Sequence, residues 1–110
     1  MQTAFESGVL TLTLTESVTG ANATELEAEI REVLEQLHPD AVVIDCDGLE
    51  YMSSSGLRVI LRVKQNVDQT SLIHVHPELY EILDTTGFTE MMEVQKAYRV
   101  VSVAGCELIG

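Results

Sequence analysis

The sequence is poor in basic residues and in cysteine, and it contains no tryptophan. Six Lys and Arg stand against 18 Asp and Glu in 110 residues, so the net charge is −12 at pH 7. Nucleic acid and anionic membrane surfaces attract clustered positive charge, and the deficit therefore argues against both as partners. No apolar run approaches the roughly 20 residues that span a bilayer, and the N-terminus does not resemble a signal peptide. We expect a soluble, cytoplasmic protein.

The two cysteines, Cys46 and Cys106, lie far apart, and neither has the spacing of a metal or redox motif. We expect two reduced thiols and no cofactor. Hydrophobic residues make up 45% of the chain, which is too much for a disordered segment, and the length suits one compact domain. A large enzyme with several sites is thereby excluded.

Strand patterns recur along the chain. Leu and Thr alternate over residues 10–14, as in a half-buried strand, and Gly8 allows a turn from a preceding strand over residues 5–9. The β-branched run at residues 41–44 does not alternate, which predicts a central strand covered on both faces. Two more strands are predicted over residues 71–76 and, at an edge, 93–95.

Three helices are predicted between these strands. Thr24 and Glu27 form a capping-box pattern at the start of an amphipathic helix that ends before Pro39. The next two helices begin at the serine run 53–55 and at Pro77. This alternation predicts an α/β fold, in which helices pack on a mixed sheet of four to five strands.

The segment Asp45-Cys46-Asp47-Gly48 at the end of the central strand has two interpretations. It resembles the motif of haloacid-dehalogenase-type phosphatases, in which Asp45 would be the nucleophile and Asp47 the general acid. Leu49 stands where that motif usually has Thr, and the further lysine and acidic motifs are missing. The other interpretation, a strand end followed by an Asp- and Gly-rich turn, is common.

His74 and His76 stand two residues apart on a predicted strand, so both could face one side and form half of a metal site. Neither has an evident third ligand. Because His76 precedes Pro77, a role at the start of the next helix is the simpler interpretation, and we expect no metal.

The run Ser53-Ser54-Ser55-Gly56-Leu57 also has a structural and a functional interpretation. Serine is a favoured N-cap, and one of the three hydroxyls should cap the helix. A hydroxyl at a helix start after a central strand also suits a phosphoacceptor, since the helix dipole and free N–H groups tolerate added negative charge. Arg58 and Arg62 follow on one helical ridge. They could pair with a phosphate or with an acidic partner, or they could simply form a solvated basic face.

The stretch from Val42 to Leu57 resembles the STAS domain of anti-sigma factor antagonists and sulfate-transporter tails. The family has a strand ending in Asp, a short turn with Gly, and then a D-S-S-G-L motif that opens a helix. The resemblance covers roughly residues 3–97, and we expect the STAS domain to span residues 1–97. Residues 83–88, Leu-Asp-Thr-Thr-Gly-Phe, are similar to a later helix end of the family.

The resemblance implies a regulatory module that is not an enzyme and that switches partners. Ser55 matches the serine phosphorylated by an anti-sigma kinase, with Ser54 and Ser53 as alternatives. The unphosphorylated module would bind the anti-sigma factor, phosphorylation would release it, and a phosphatase would reset the cycle. We expect a monomer. The residues expected to bind the partner are Asp45, Asp47, Ser53, Ser54, Gly56, Leu57, Arg58 and Arg62.

The sequence departs from the family pattern at two places. Ser53 replaces the usual Asp, which removes a carboxylate beside the acceptor. STAS domains usually finish with a helix, whereas residues 98–110 form a strand-like tail that resembles the start of a further, truncated domain. An alternative function is therefore the regulation of an attached kinase-like domain.

Overall fold

The computed structural model describes residues 1–49 and 51–97. Within them, five strands alternate with helices in an α/β arrangement. The strands are β1 (Gln2–Glu6), β2 (Val9–Thr13), β3 (Ala41–Asp45), β4 (Thr70–Val75) and β5 (Glu93–Lys96). The helices are α1 (Ala23–Leu37), α2 (Ser54–Asn66), α3 (Pro77–Thr85) and the short α4 (Phe88–Met91). The predicted α/β class with a mixed sheet is confirmed, and the strand-like tail lies outside the described residues.

The strands lie in the sheet in sequence order, β1 to β5. β1 and β2 form an antiparallel hairpin, whereas every later neighbour is parallel. The hairpin turn consists of Ser7 and Gly8, both at positive φ (52° and 82°), a conformation that matches the twist of the two strands. The first strand therefore lies over residues 2–6, earlier than predicted.

The three inner strands β2, β3 and β4 are buried on one face only, whereas β1 is exposed throughout. Leu10, Val42 and Leu72 lie on that face and are completely buried, whereas Val43, on the opposite face, is half-buried. The predicted core role of Leu10, Leu12 and Leu14 is confirmed. Coverage of β3 on both faces was a wrong prediction: β3 is central, but burial alternates along it.

The predicted capping box at the start of α1 is also wrong. The helix begins at Ala23, the N-cap is Asn22, and no side chain caps it. Glu27 instead accepts hydrogen bonds from Arg31 and Arg62, because its carboxylate faces the neighbouring helix α2. The helix does end before Pro39 as predicted, at Leu37.

Candidate functional site

Two loops meet at the carboxyl ends of the central parallel strands. We call residues 14–22, between β2 and α1, the first loop, and residues 46–53, between β3 and α2, the second loop. They are joined by a parallel bridge between Val18 and Met52. The Val18 N–H donates to the carbonyl of Tyr51 (2.8 Å), and the Ser53 N–H donates to the carbonyl of Val18 (2.8 Å). Ligands of α/β sheets usually bind at such an edge.

Asn22 braces the first loop from within. Its Oδ1 accepts from the Thr19 N–H at 2.8 Å, and its Nδ2 donates to the carbonyl of Ser17 at 2.9 Å. An amide is needed for this arrangement because it accepts and donates at once. Asn22 therefore holds the loop rather than capping α1 with its side chain.

The three serines at the start of α2 have different environments. Ser53 is the N-cap, with extended backbone angles (φ −82°, ψ 174°), and its hydroxyl accepts from the Gly56 N–H at 3.4 Å. The prediction that one serine caps the helix is confirmed. Ser54 is exposed and Ser55 is half-buried, and within residues 1–49 and 51–97 neither hydroxyl forms a hydrogen bond.

Two glycines border this serine run. A Cβ on Gly56 would lie 2.6 Å from the Met52 Cγ and 2.9 Å from a Val18 methyl group, so only glycine lets α2 start this close to both loops. A Cβ on Gly20, in the first loop, would lie 3.9 Å from the Ser55 hydroxyl. Gly56 is buried and supports the helix start, whereas Gly20 is exposed beside Ser55.

Asp45 ends β3 and is restrained by two hydrogen bonds. Its Oδ1 accepts from the backbone N–H of Asp47 at 3.0 Å and lies 2.9 Å from Nδ1 of His74. The hydrogen bond to Asp45 raises the pKa of His74 above its usual 6.5, and the charge of Asp47 acts in the same direction. The Asp45 carboxylate is therefore hydrogen-bonded to the loop backbone and to a side chain of β4. In the phosphatase interpretation the same carboxylate would have to be free to attack a substrate.

The two histidines have different local environments. His74 has a positive φ of 55° at an irregularity in the pairing of β4 with β5, and its ring reaches Asp45. His76 is the N-cap residue of α3. The part of the chain that the structure describes contains no group of three or more metal-ligating side chains.

The two arginines of α2 also differ. Arg62 donates to both carboxylate oxygens of Glu27 at 2.7 Å and so ties α2 to α1. The hydrogen bond from Arg62 lowers the pKa of Glu27. A role of Arg62 in partner binding would require exchange of this ion pair, whereas Arg58 is exposed and has no ion-pair partner among the described residues.

Cys46 carries no reactive thiol. It is buried in the core, and desolvation raises its pKa to about 12, so the thiolate does not form near neutral pH. Cys46 is free among the described residues, whereas Cys106 lies outside them, so two reduced thiols stay a prediction.

Sequence reasoning missed the first loop as a component of the site. Residues 17–22 have the composition of an ordinary loop, and only the three-dimensional contacts place Gly20 beside Ser55. It also missed Tyr51, whose side chain is 59% exposed in the second loop. An aromatic residue beside the serine run is a usable signal only once it is known to be exposed, and the sequence does not show that.

The chain belongs to the STAS domain family. The family model of the STAS domain matches residues 1–104. The chain is 32% identical over 101 residues to BtrV of Bordetella bronchiseptica, a protein named as an anti-sigma factor antagonist, and the match covers 88% of this chain and 86% of that protein. The resemblance found in the sequence is thereby confirmed.

Solved structures with low sequence identity share the fold. An anti-sigma factor antagonist of Thermotoga maritima superposes with a TM-score of 0.79 at 13% identity, covering 92% of this chain and 87% of that one. SpoIIAA in its unphosphorylated form gives a TM-score of 0.73 at 16% identity, with 84% and 85% covered. The phosphorylated form of this Bacillus protein gives 0.67 at 16% identity, with 84% and 88% covered. The fold is that of anti-sigma factor antagonists.

No helix among the described residues is long and apolar enough to cross a membrane.

Proposed function

We propose that this chain is a partner-switching regulator that binds an anti-sigma factor with serine kinase activity and is released when Ser55 is phosphorylated. The observation that carries the proposal is the position of Ser55. It is the second residue of α2, at the carboxyl edge of the sheet, and its hydroxyl faces Gly20. A kinase would modify the chain there and a phosphatase would reset it, so the chain is a substrate and a binding module without catalysis of its own.

The environments of the three serines favour Ser55 and Ser54 over Ser53 as the phosphate acceptor. The Ser53 hydroxyl is already used as the helix cap, whereas the hydroxyls of Ser54 and Ser55 form no hydrogen bond among the described residues. Ser54 is the more exposed alternative, but Ser55 occupies the position that the family motif assigns to the acceptor. The absence of a side chain at Gly20 leaves space beside its hydroxyl.

The start of α2 can accept a phosphate without unfolding. The first N–H groups of a helix have no partners within the helix, and the dipole is positive at this end. The first turn of α2 contains no acidic residue that would repel a phosphate. A phosphate carries about −1.5 to −2 charges at pH 7, so modification changes the surface potential while the local fold persists.

The added charge would fall on a chain that is already acidic. Asp45 ends β3, Asp47 follows in the loop that leads to α2, and the whole chain carries −12. A bound partner that faces this edge with acidic groups or with nucleotide phosphates would be repelled after modification. SpoIIAA, which shares the fold, has been solved in both phosphorylated and unphosphorylated forms, and this supports the proposed switch.

The proposal is tested by incubating the chain with an anti-sigma serine kinase and ATP. We expect one phosphate on the peptide that contains residues 53–55, and no labelling of Ser55→Ala. Ser54→Ala is the matched control and should be labelled normally. Labelling that persists in Ser55→Ala and disappears in Ser54→Ala would move the acceptor to Ser54.

Binding gives an independent test of the switch. We expect the kinase to be retained by Ser55→Ala and to be lost by Ser55→Asp or by the phosphorylated chain. Equal retention of all three forms would contradict partner switching even if Ser55 were phosphorylated.

A further inference from the structure

A groove lies between the second loop and α3. It encloses about 460 Å³. This volume is within the range of clefts that hold ligands, about 300–1,000 Å³. Its floor contains the buried side chains of Leu49 and Met52, and Leu79 of α3 is half-buried in its wall.

Two exposed hydrophobic side chains form the opposite rims of this groove. Tyr51 of the second loop is 59% exposed and Ile82 of α3 is 47% exposed. Leu79 and Ile82 are three residues apart and therefore lie on the same side of α3. Scattered single hydrophobic residues need no explanation, but two that border one groove with an apolar floor form a continuous surface.

The charges around the groove select the kind of occupant. Asp47 and Glu78 line it, and among residues 1–49 and 51–97 no Lys or Arg does. The chain as a whole carries −12, so an acidic ligand or a second copy of the chain would be repelled. A segment with positive charges on both sides of an apolar residue matches the acidic rim and the apolar floor together.

We propose that this groove binds a segment of the protein partner in which a large apolar side chain is flanked by lysine or arginine residues. The apolar side chain lies between Tyr51 and Ile82, and its basic neighbours face Asp47 and Glu78. The assignment deepens the proposed function and rests on it for the identity of the partner. The groove ends at Tyr51 and Met52, immediately before the serine run, so one partner can contact both.

The experiment uses a defined peptide as the probe. A nine-residue peptide with blocked ends carries Phe at its centre and two Lys on each side, and it is titrated into the ¹⁵N-labelled full chain. We expect saturable shifts of the amide signals of Tyr51, Leu79 and Ile82. A peptide with Ala in place of Phe, and one with Glu in place of Lys, should each bind at least tenfold more weakly.

Variants of the chain supply the second measurement. Ile82→Ser should weaken binding of the Phe peptide at least tenfold. Phe5→Ser is the matched control, because Phe5 is similarly exposed (44%) but lies on β1, and this variant should bind normally. Both substitutions are at exposed positions, and circular dichroism confirms that the variants are folded.

Several results would overturn the assignment. Three results would show that the peptide binds only through unspecific charge attraction. These are amide shifts centred on the acidic face of α1, equal binding of the Ala peptide, and unchanged binding by Ile82→Ser. Shifts that grow with protein concentration without peptide would show that a second copy occupies the groove. If the peptide fails to bind while Ser55 is phosphorylated normally, only the groove assignment fails. If the peptide binds while Ser55 is not modified, only the switch fails.

Discussion

Helices α1 and α2 both start at the carboxyl edge of the sheet, after neighbouring parallel strands, yet the two starts are built differently. The α1 start has Asn22 as its N-cap residue, and that side chain is used to brace the first loop. The α2 start is capped by Ser53, and the hydroxyls of the next two serines make no hydrogen bond within the described residues. At the start of α1 the polar side chain is used to hold the loop. At the equivalent place in α2, the start of the helix leaves two serine hydroxyls available.

The contacts that hold the two loops together do not involve the serines that follow the cap. The rigid parts are the Asn22 hydrogen bonds, the bridge between Val18 and Met52, and the close packing of Gly56. They hold the two loops together without using Ser54 or Ser55. A change of charge at the start of α2 can therefore alter the surface while the frame beneath it is kept.

The largest expected effect concerns the two glycines that border the serine run. Gly56→Val would place its side chain against Met52 and Val18, and we expect a loss of about 2 to 3 kcal/mol in the free energy of unfolding. Gly20→Ala is the control and should stay within about 0.5 kcal/mol, since its Cβ meets no atom closer than 3.9 Å. Urea denaturation measures both, and equal stability of the two variants would show that the helix start is not closely packed.

Asn22→Ala tests the brace of the first loop. Two hydrogen bonds are lost, each worth about 1 kcal/mol, so we expect a loss of about 2 kcal/mol. Asn66→Ala is the matched control: its amide donates to the carbonyl of Arg62 at the exposed end of α2, and the cost should be below about 0.5 kcal/mol. Thermal or urea unfolding compares them, and a cost at Asn22 no greater than that at Asn66 would contradict the brace.

Ser53→Ala tests the cap of α2. We expect a loss of about 1 kcal/mol, because one first-turn N–H is left without its acceptor. Ser53→Asp should keep wild-type stability, since aspartate caps as well as serine and favours the positive end of the dipole. Ser54→Ala, at an exposed position, should change little. If Ser54→Ala cost more than Ser53→Ala in urea denaturation, the cap would be assigned to the wrong residue.

The smallest expected effect is on how the stability of the fold depends on pH. It concerns only the strand that precedes α2. The strand before α1 ends at Thr13, which does not titrate, whereas the strand before α2 ends at Asp45, bound to His74. The pKa of His74 is raised in the folded state, so the charged ring stabilises the fold. This contribution is complete below pH 6.5 and is lost as the pH rises through the raised pKa.

NMR titration of the His74 ring tests this assignment. The pKa of His74 should be lower in Asp45→Asn than in the wild type, because the carboxylate that favours the charged ring is removed. An unchanged His74 pKa in the variant would show that the ring and the carboxylate do not interact in solution.

Local patterns predicted some elements well and others poorly. The alternation of Leu10, Leu12 and Leu14 predicted a strand with one buried face because period-2 spacing has one geometric meaning. The β-branched run of β3 was interpreted as covered on both faces, but which face a helix covers depends on the rest of the chain. The Thr24 and Glu27 pattern failed as a capping box because Glu27 has stronger partners in Arg31 and Arg62, and sequence spacing does not reveal those cross-helix contacts.

Local periodicity and one contiguous motif were enough to predict the domain family, the five strands, the three longer helices and the serine run that begins α2, whereas the short α4 was not predicted. Only the tertiary structure decided what surrounds that run: Gly20 beside Ser55, Asp45 bound to His74, and a groove between Tyr51 and Ile82. Each of these joins segments that are separated along the chain. Such contacts arise where parallel strands end at one edge, and their geometry follows from the packing of the whole sheet.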